Sequence, residues 1–146
     1  MVDYTHSLDT TADAAAVWAL YADPASWPSW DGGCERQELD GPLAAGTTGR
    51  FTPAGGEPLP FTVTWAQPGA GFTDEFELPG AVLRGTHTLT PLADGGTRIT
   101  HRMELTGPAA DELAQHIWAG ITDDIPLTVA ALARAAGAVH AAVPAG

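Results

Sequence analysis

The sequence predicts an α+β protein, one antiparallel sheet covered by a long C-terminal helix. Three observations predict it. After Trp30 the helical period disappears, and six strand-like segments follow with only Pro- and Gly-rich loops between them. From about Pro108 the period returns, with Leu113, Ile117, Ile121, Ile125, Leu132 and Val139 spaced for one helical face. The strands alternate apolar and polar residues, as a sheet with one dry face must. The helix has to bury its stripe, and that dry face is the obvious partner.

The elements follow in order. DYTHSLD alternates, with Tyr4, His6 and Leu8 on one side, and reads as a first strand. Thr11 is placed to cap a helix beginning near Ala12, with Asp13 in its first turn, and Asp23-Pro24 ends it. ASWPSW reads as a second short helix or turn bearing Trp27 and Trp30. CERQELDG and AGTTGRFTP are two strands joined at Gly41-Pro42. LPFTVTWAQ, GFTDEFELP, AVLRGTHTLTPL and GTRITHRMELTG are four more. Their separators, Pro68-Gly69, Gly80-Ala81 and Ala93-Asp94-Gly95, suit hairpin loops. Pro126 should kink or break the last helix near Asp123 to Pro126, and residues 141–146 read as a flexible tail of one domain spanning 1–146.

Short loops imply registers. Two-residue loops at Pro68-Gly69 and Gly80-Ala81 and a three-residue loop at Ala93-Asp94-Gly95 set Val63 opposite Asp74, Asp74 opposite His87, and His87 opposite His101. Three rows then cross the inner face: Phe61, Phe76, Gly85, Met103; Val63, Asp74, His87, His101; and Trp65, Phe72, Leu89, Ile99. The intervening positions are nearly all Thr, Glu or Arg.

One row of an aromatic and aliphatic wall thus holds Asp74, His87 and His101. Three readings of it stand. The groups satisfy one another or ordered water, since facing residues lie about 5 Å apart. Or they face a cavity lined by Phe61, Val63, Trp65, Phe72, Phe76, Leu89, Ile99 and Met103, with Trp30 at one end. Asp74 would then fix the tautomer of His87, His87 would act as base or acid, and His101 would donate to an oxygen or pass a proton. Or they bind a metal, although a near-linear row sets Asp74 and His101 about 10 Å apart. We expect no metal and no cofactor.

The remaining candidates carry less. His6 shares the inner beat of the first strand and joins the cavity if its register allows. His116 and His140 fall beside the stripe and at the end of the last helix, as surface residues. Arg36 and Arg50 are placed to flank an opening. Cys34, the one cysteine, leaves no internal disulfide and reads as a small buried residue rather than a nucleophile. The net charge of −12, with arginine as the only base, argues against nucleic acid and anionic membrane surfaces. No apolar run reaches the roughly 20 residues of a membrane helix, and the N-terminus lacks a signal-peptide pattern, so a cytoplasmic monomer or homodimer is expected. No Gly-rich phosphate loop, serine elbow or HExxH motif is present.

The stretch AVWALYADPASWPSWDGGCERQELDGPLAAGTTGRF, from Ala16 to Phe51, resembles the polyketide cyclase/dehydrase branch of the START-like (SRPBCC) superfamily, as does GGTRITHRMELTGP with the helix after it. The resemblance implies the helix-grip fold: a curved seven-stranded antiparallel sheet, two short helices after the first strand, and a long C-terminal helix over a hydrophobic cavity. It also implies a hydrophobic small-molecule ligand. Members include cyclases and dehydratases as well as carriers of lipids or polyketides, and no catalytic set transfers from them. The leading expectation is a cyclase or dehydratase acting on a hydrophobic carbonyl compound through Asp74, His87 and His101. The alternative is a non-catalytic binding or carrier protein. A weaker third reading is a module that docks a protein partner.

Overall fold

The computed structural model of the chain describes the backbone of residues 1–142 and the side chains of residues 1–137. Seven strands form one curled antiparallel sheet: β1 Val2–Thr10, β2 Cys34–Leu39, β3 Thr48–Pro53, β4 Leu59–Gln67, β5 Gly71–Leu78, β6 Ala81–Pro91 and β7 Thr97–Thr106. Their order across the sheet is β1-β7-β6-β5-β4-β3-β2. Consecutive hairpins produce this meander from β2 to β7, and β1 returns to close it beside β7. The helices are α1 Ala14–Tyr21, α2 Trp27–Trp30, α3 Ala110–Thr122 and α4 Ile125–Ala142. This is the expected α+β helix-grip arrangement.

The helix termini follow local chemistry. The cap of α1 is Asp13, not Thr11: an Asp13 carboxylate oxygen accepts the Ala16 N–H at 2.8 Å. Two residues fewer enter the helix as a result. The C-terminal helix is broken where Pro126 follows, with Asp123 and Asp124 in a turn between α3 and α4. The side chains of Val139 and His140 and most of the expected tail lie outside the described residues, while residues 141 and 142 still belong to α4.

Two hairpins differ from expectation. Pro79 and Gly80 form the β5–β6 loop, with Leu78 facing Ala81. Gly80 has φ +75°, which glycine adopts freely and which suits Pro-Gly at the centre of a type II turn. Choosing Gly80-Ala81 would have put alanine in that role. The register therefore shifts by two, so Asp74 faces Gly85 and Phe72 faces His87. A shift of two keeps every side chain on its face.

The β4–β5 loop is Pro68-Gly69-Ala70, with Gln67 facing Gly71. A bulge between Val63 and Trp65 then restores the expected pairing of Val63 with Asp74. Two departures cancel at Val63, but Trp65 lies between them. It turns to the outer face, 40% exposed, beside Gly71. The β6–β7 hairpin holds its expected register, with His87 facing His101.

The main core packs Val17, Tyr21, Trp27, Trp30, Phe72, Leu89, Ile99, Val129 and Leu132 between the sheet and helices α1, α2 and α4. Full burial of each large aliphatic chain contributes about 1.5–3 kcal/mol. A smaller cluster of Ala81, Leu105 and Ala110 seats α3 on the sheet. Between these two packed regions the sheet and helices separate.

Candidate active site

That gap is a cavity of about 420 Å³. Asp74, Phe76, Leu83, His87, His101 and Met103 form its sheet wall. Ile117, Ile121, Ile125, Val129 and Leu132 form its helix wall. Tyr21, Trp27, Trp30 and Asp31 close one end. Such a mostly apolar space with a few polar groups is the usual form of a small-molecule site.

Of the residues expected on the wall, Asp74, His87, His101, Phe76, Met103 and Trp30 line the cavity. Phe61, Val63, Phe72, Leu89 and Ile99 do not. They point to the inner face but are buried beneath or beside the site, in contact with core neighbours. Phe72, Leu89 and Ile99 pack in the main core with residues of the helices, and Phe61 packs against Phe76. Trp65 leaves the site altogether through the β4 bulge. Arg36 and Arg50 do not flank the opening; both pair with Glu38, and Arg50 also pairs with Asp40. His116 is exposed on α3.

The polar row is wider than expected. His6 of β1 faces His101, and His101 faces His87, so three imidazoles stand side by side on adjacent strands. Phe72 ends the row and stacks on His87, with ring centroids 4.3 Å apart and planes 11° from parallel. His87 and His101 lie 4.2 Å apart, and Tyr21 meets His87 edge-on at 5.3 Å. These contacts leave His87 little rotational freedom.

Asp74 reaches the row diagonally. Its Oδ2 lies 3.8 Å from Nε2 of His87, close enough for charge attraction but beyond a direct hydrogen bond. Opposite it stands Gly85, where a Cβ would come within 2.6 Å of the Asp74 carboxylate. The missing side chain is what gives the carboxylate room. His101 brings Nε2 to 3.2 Å from the Met103 sulfur, a weak acceptor. Burial, reinforced by His87 and His6, holds the His101 pKa well below the ordinary imidazole value of 6.5. His101 is therefore neutral at physiological pH and able to offer an N–H without surrendering the ring's only proton readily.

The helix side brings residues that the strand pattern did not mark. Asp31, just after α2, has its pKa raised by burial. The Gly33 N–H, His87 and a Thr128 hydroxyl offset part of this, while the Asp124 carboxylate adds to it. Tyr21 is 1% exposed, and burial alone pushes its hydroxyl pKa up, so it stays a phenol. Cys34 is buried, and burial followed by the Asp31 charge pushes its thiol up to about 12, too high for a nucleophile. Among the described residues no three His, Cys, Asp or Glu side chains are arranged to hold a metal ion, and no helix is long and apolar enough to cross a membrane.

Sheet, helices and cavity together define a ligand-binding helix-grip protein. The chain belongs to the family described as polyketide cyclase / dehydrase and lipid transport, whose model matches residues 1–137. No curated protein matches it in sequence. Solved structures share the fold. A protein from Nitrosomonas europaea superimposes with a TM-score of 0.75 at 15% identity, covering 96% of this chain and 97% of its own. A protein from Thermobifida fusca gives 0.74 at 22%, covering 95% of each chain. Norcoclaurine synthase from Thalictrum flavum, solved with dopamine and hydroxybenzaldehyde, gives 0.70 at 19%, covering 99% of this chain and 89% of its own.

Proposed function

We propose that the chain is an acid–base enzyme of the cyclase or dehydratase type, acting on an apolar molecule that bears a carbonyl group. The observation that carries this reading is the placement of Asp74, His87 and His101 on one wall of an otherwise apolar cavity. His87 is the base. It removes a proton from the carbon next to the carbonyl, and Asp74 at 3.8 Å steadies the imidazolium that forms. The neutral His101 N–H donates to the carbonyl oxygen as negative charge develops there.

In a dehydration the electron pair left on carbon forms the new double bond, and the β C–O bond breaks. The departing hydroxyl takes the proton back from His87 and leaves as water. In a cyclisation the same enolate carbon attacks a second carbonyl of the folded chain, whose oxygen takes that proton. Apolar walls hold the flexible substrate in the reactive conformation, which lowers the entropic part of the barrier. The norcoclaurine synthase complex with hydroxybenzaldehyde supports a carbonyl ligand for this fold.

The test begins with the ligand extracted from the purified protein and identified by mass spectrometry. Turnover is then followed as loss of water or ring formation. His87→Ala and Asp74→Asn should each reduce the rate by about 10²-fold or more while ligand affinity changes little. Unchanged turnover in both variants overturns the proposal. The family's lipid-transport members favour a second reading, a carrier without chemistry. In that case His87→Ala weakens affinity, and the extracted ligand is recovered unaltered from every incubation.

A further inference from the structure

The end of the cavity that Asp31 closes poses a charge problem. Asp31 and Asp124 both line the cavity, Asp124 on an exposed turn, and the Asp124 carboxylate disfavours the ionised form of Asp31. Asp31 is partly buried there; the neutral Gly33 N–H donates to it at 3.0 Å, and His87 and Thr128 favour its ionised form. Asp74 adds a third carboxylate deeper in the same space. No arginine lines the cavity. Arg36, Arg50, Arg84, Arg98 and Arg102 are all engaged with acids elsewhere, Arg134 stands exposed on α4, and the chain has no lysine.

A second observation points independently to a ligand. Tyr21 lines the cavity and is almost wholly buried, yet its hydroxyl has no hydrogen-bond partner among the described residues. The hydroxyl oxygen is not fully enclosed, so a ligand in the cavity can supply that partner. Trp30 and Trp27, whose ring centroids lie 5.9 and 6.3 Å from that of Tyr21, line the same end and add electron-rich faces of the kind that attract cations.

We propose that the cavity takes a cationic amine, with its ammonium group between Asp31 and Asp124 and the Tyr21 hydroxyl and Trp30 completing its surroundings. The inference rests on the cavity being the substrate site proposed above, and it narrows the substrate to an apolar molecule carrying an amine as well as a carbonyl. The same carboxylates, with no arginine or lysine in the lining and only His87 and His101 as bases, disfavour ligands that bear carboxylate or phosphate.

The experiment compares three probes of one shape, naphthylethylamine, naphthylethanol and naphthylacetate, by calorimetry and tryptophan fluorescence at neutral pH. The amine should bind about tenfold or more tighter than the alcohol, a difference of about 1.4 kcal/mol, and the acetate weakest. Asp31→Asn and Asp124→Asn should each cut the amine-to-alcohol ratio by about threefold and together remove it, leaving alcohol affinity in place. Asp9→Asn, at an exposed ion pair on the outer face, should leave the ratio alone. Equal binding of amine and alcohol overturns the proposal. So does a ratio that survives the double variant, or one that Asp9→Asn lowers equally. The amine preference is read without turnover, so His87→Ala should keep it; loss of activity in that variant tests the enzymatic reading separately.

Discussion

The two sides of the cavity are built on different principles. The sheet wall is periodic: Asp74, His87 and His101 occupy positions that strand geometry fixes, and their surroundings are packed. The helix side is assembled from chain ends and breaks. Asp31 follows a one-turn helix, and Asp124 sits in the turn between α3 and α4. The comparison teaches that the groups proposed to do chemistry stand on rigid backbone, whereas those proposed to sort ligands stand at the junctions between elements. Substitutions on the two sides should therefore differ in what they cost.

The largest effect is expected beneath the sheet wall. Phe72 is 1% exposed, stacks on His87 and touches Tyr21 edge-on at 5.1 Å. Phe72→Ala should destabilise the protein by about 3–5 kcal/mol, measured by urea denaturation. Tyr21→Phe, at the end of the cavity, keeps the ring and deletes a hydroxyl without a described partner, so it should cost less than about 1 kcal/mol. Comparable losses in the two variants would show that the Tyr21 hydroxyl supports the fold as the Phe72 ring does.

Sequence periodicity made the sheet wall readable because pairing in a meander is local. The face assignments of Asp74 and His87 survived a wrong β5–β6 loop, since the error was two residues and a strand repeats every two. Trp65 did not survive, because a bulge is one residue and reverses the face. The VTWAQPG context offers no composition cue that distinguishes a bulge from a regular strand. The pairing of His6 with His101 depends on β1 finding β7, some ninety residues away, and no short loop sets that register. Asp31 and Tyr21 were missed for another reason. Each reads as an ordinary residue of a short helix or turn, and only the packing of α1 and α2 against α4 brings them to the cavity. Asp31 did stand in one recognisable setting, an acid directly after Trp30 and before Gly32-Gly33, but such turns are common on surfaces.

A middle-sized effect should come from acidification of the sheet wall. Because His101 has its pKa lowered in the fold, it stays neutral there while the unfolded chain takes up a proton near pH 6.5. The stability this residue supports is present above that pH and is lost as pH falls below it. Denaturation measured between pH 7.5 and 5 should show a decline that His101→Asn flattens. An undiminished slope in that variant would assign the proton uptake to a group other than His101.

The smallest effect belongs to Asp31 at the closed end of the cavity, and its sign is opposite. Asp31 has its pKa raised, so its contribution is favourable below the ordinary carboxylate value of 3.8 and is lost as pH rises through the folded value. At neutral pH the ionised group therefore opposes folding. Asp31→Asn should raise the melting temperature at pH 7 by roughly 2–4 °C, the shift expected for a gain of about 1 kcal/mol in a chain of this size. The gain should shrink as pH falls through the raised folded value, where wild-type Asp31 itself takes up a proton. A variant less stable than wild type at pH 7 would mean that the carboxylate serves the fold through Gly33 and Thr128. Stabilisation on deletion is the mark of a group held against its own electrostatics. Paired with a lost preference for amines in the same variant, it would tie that unfavourable charge to what the cavity binds.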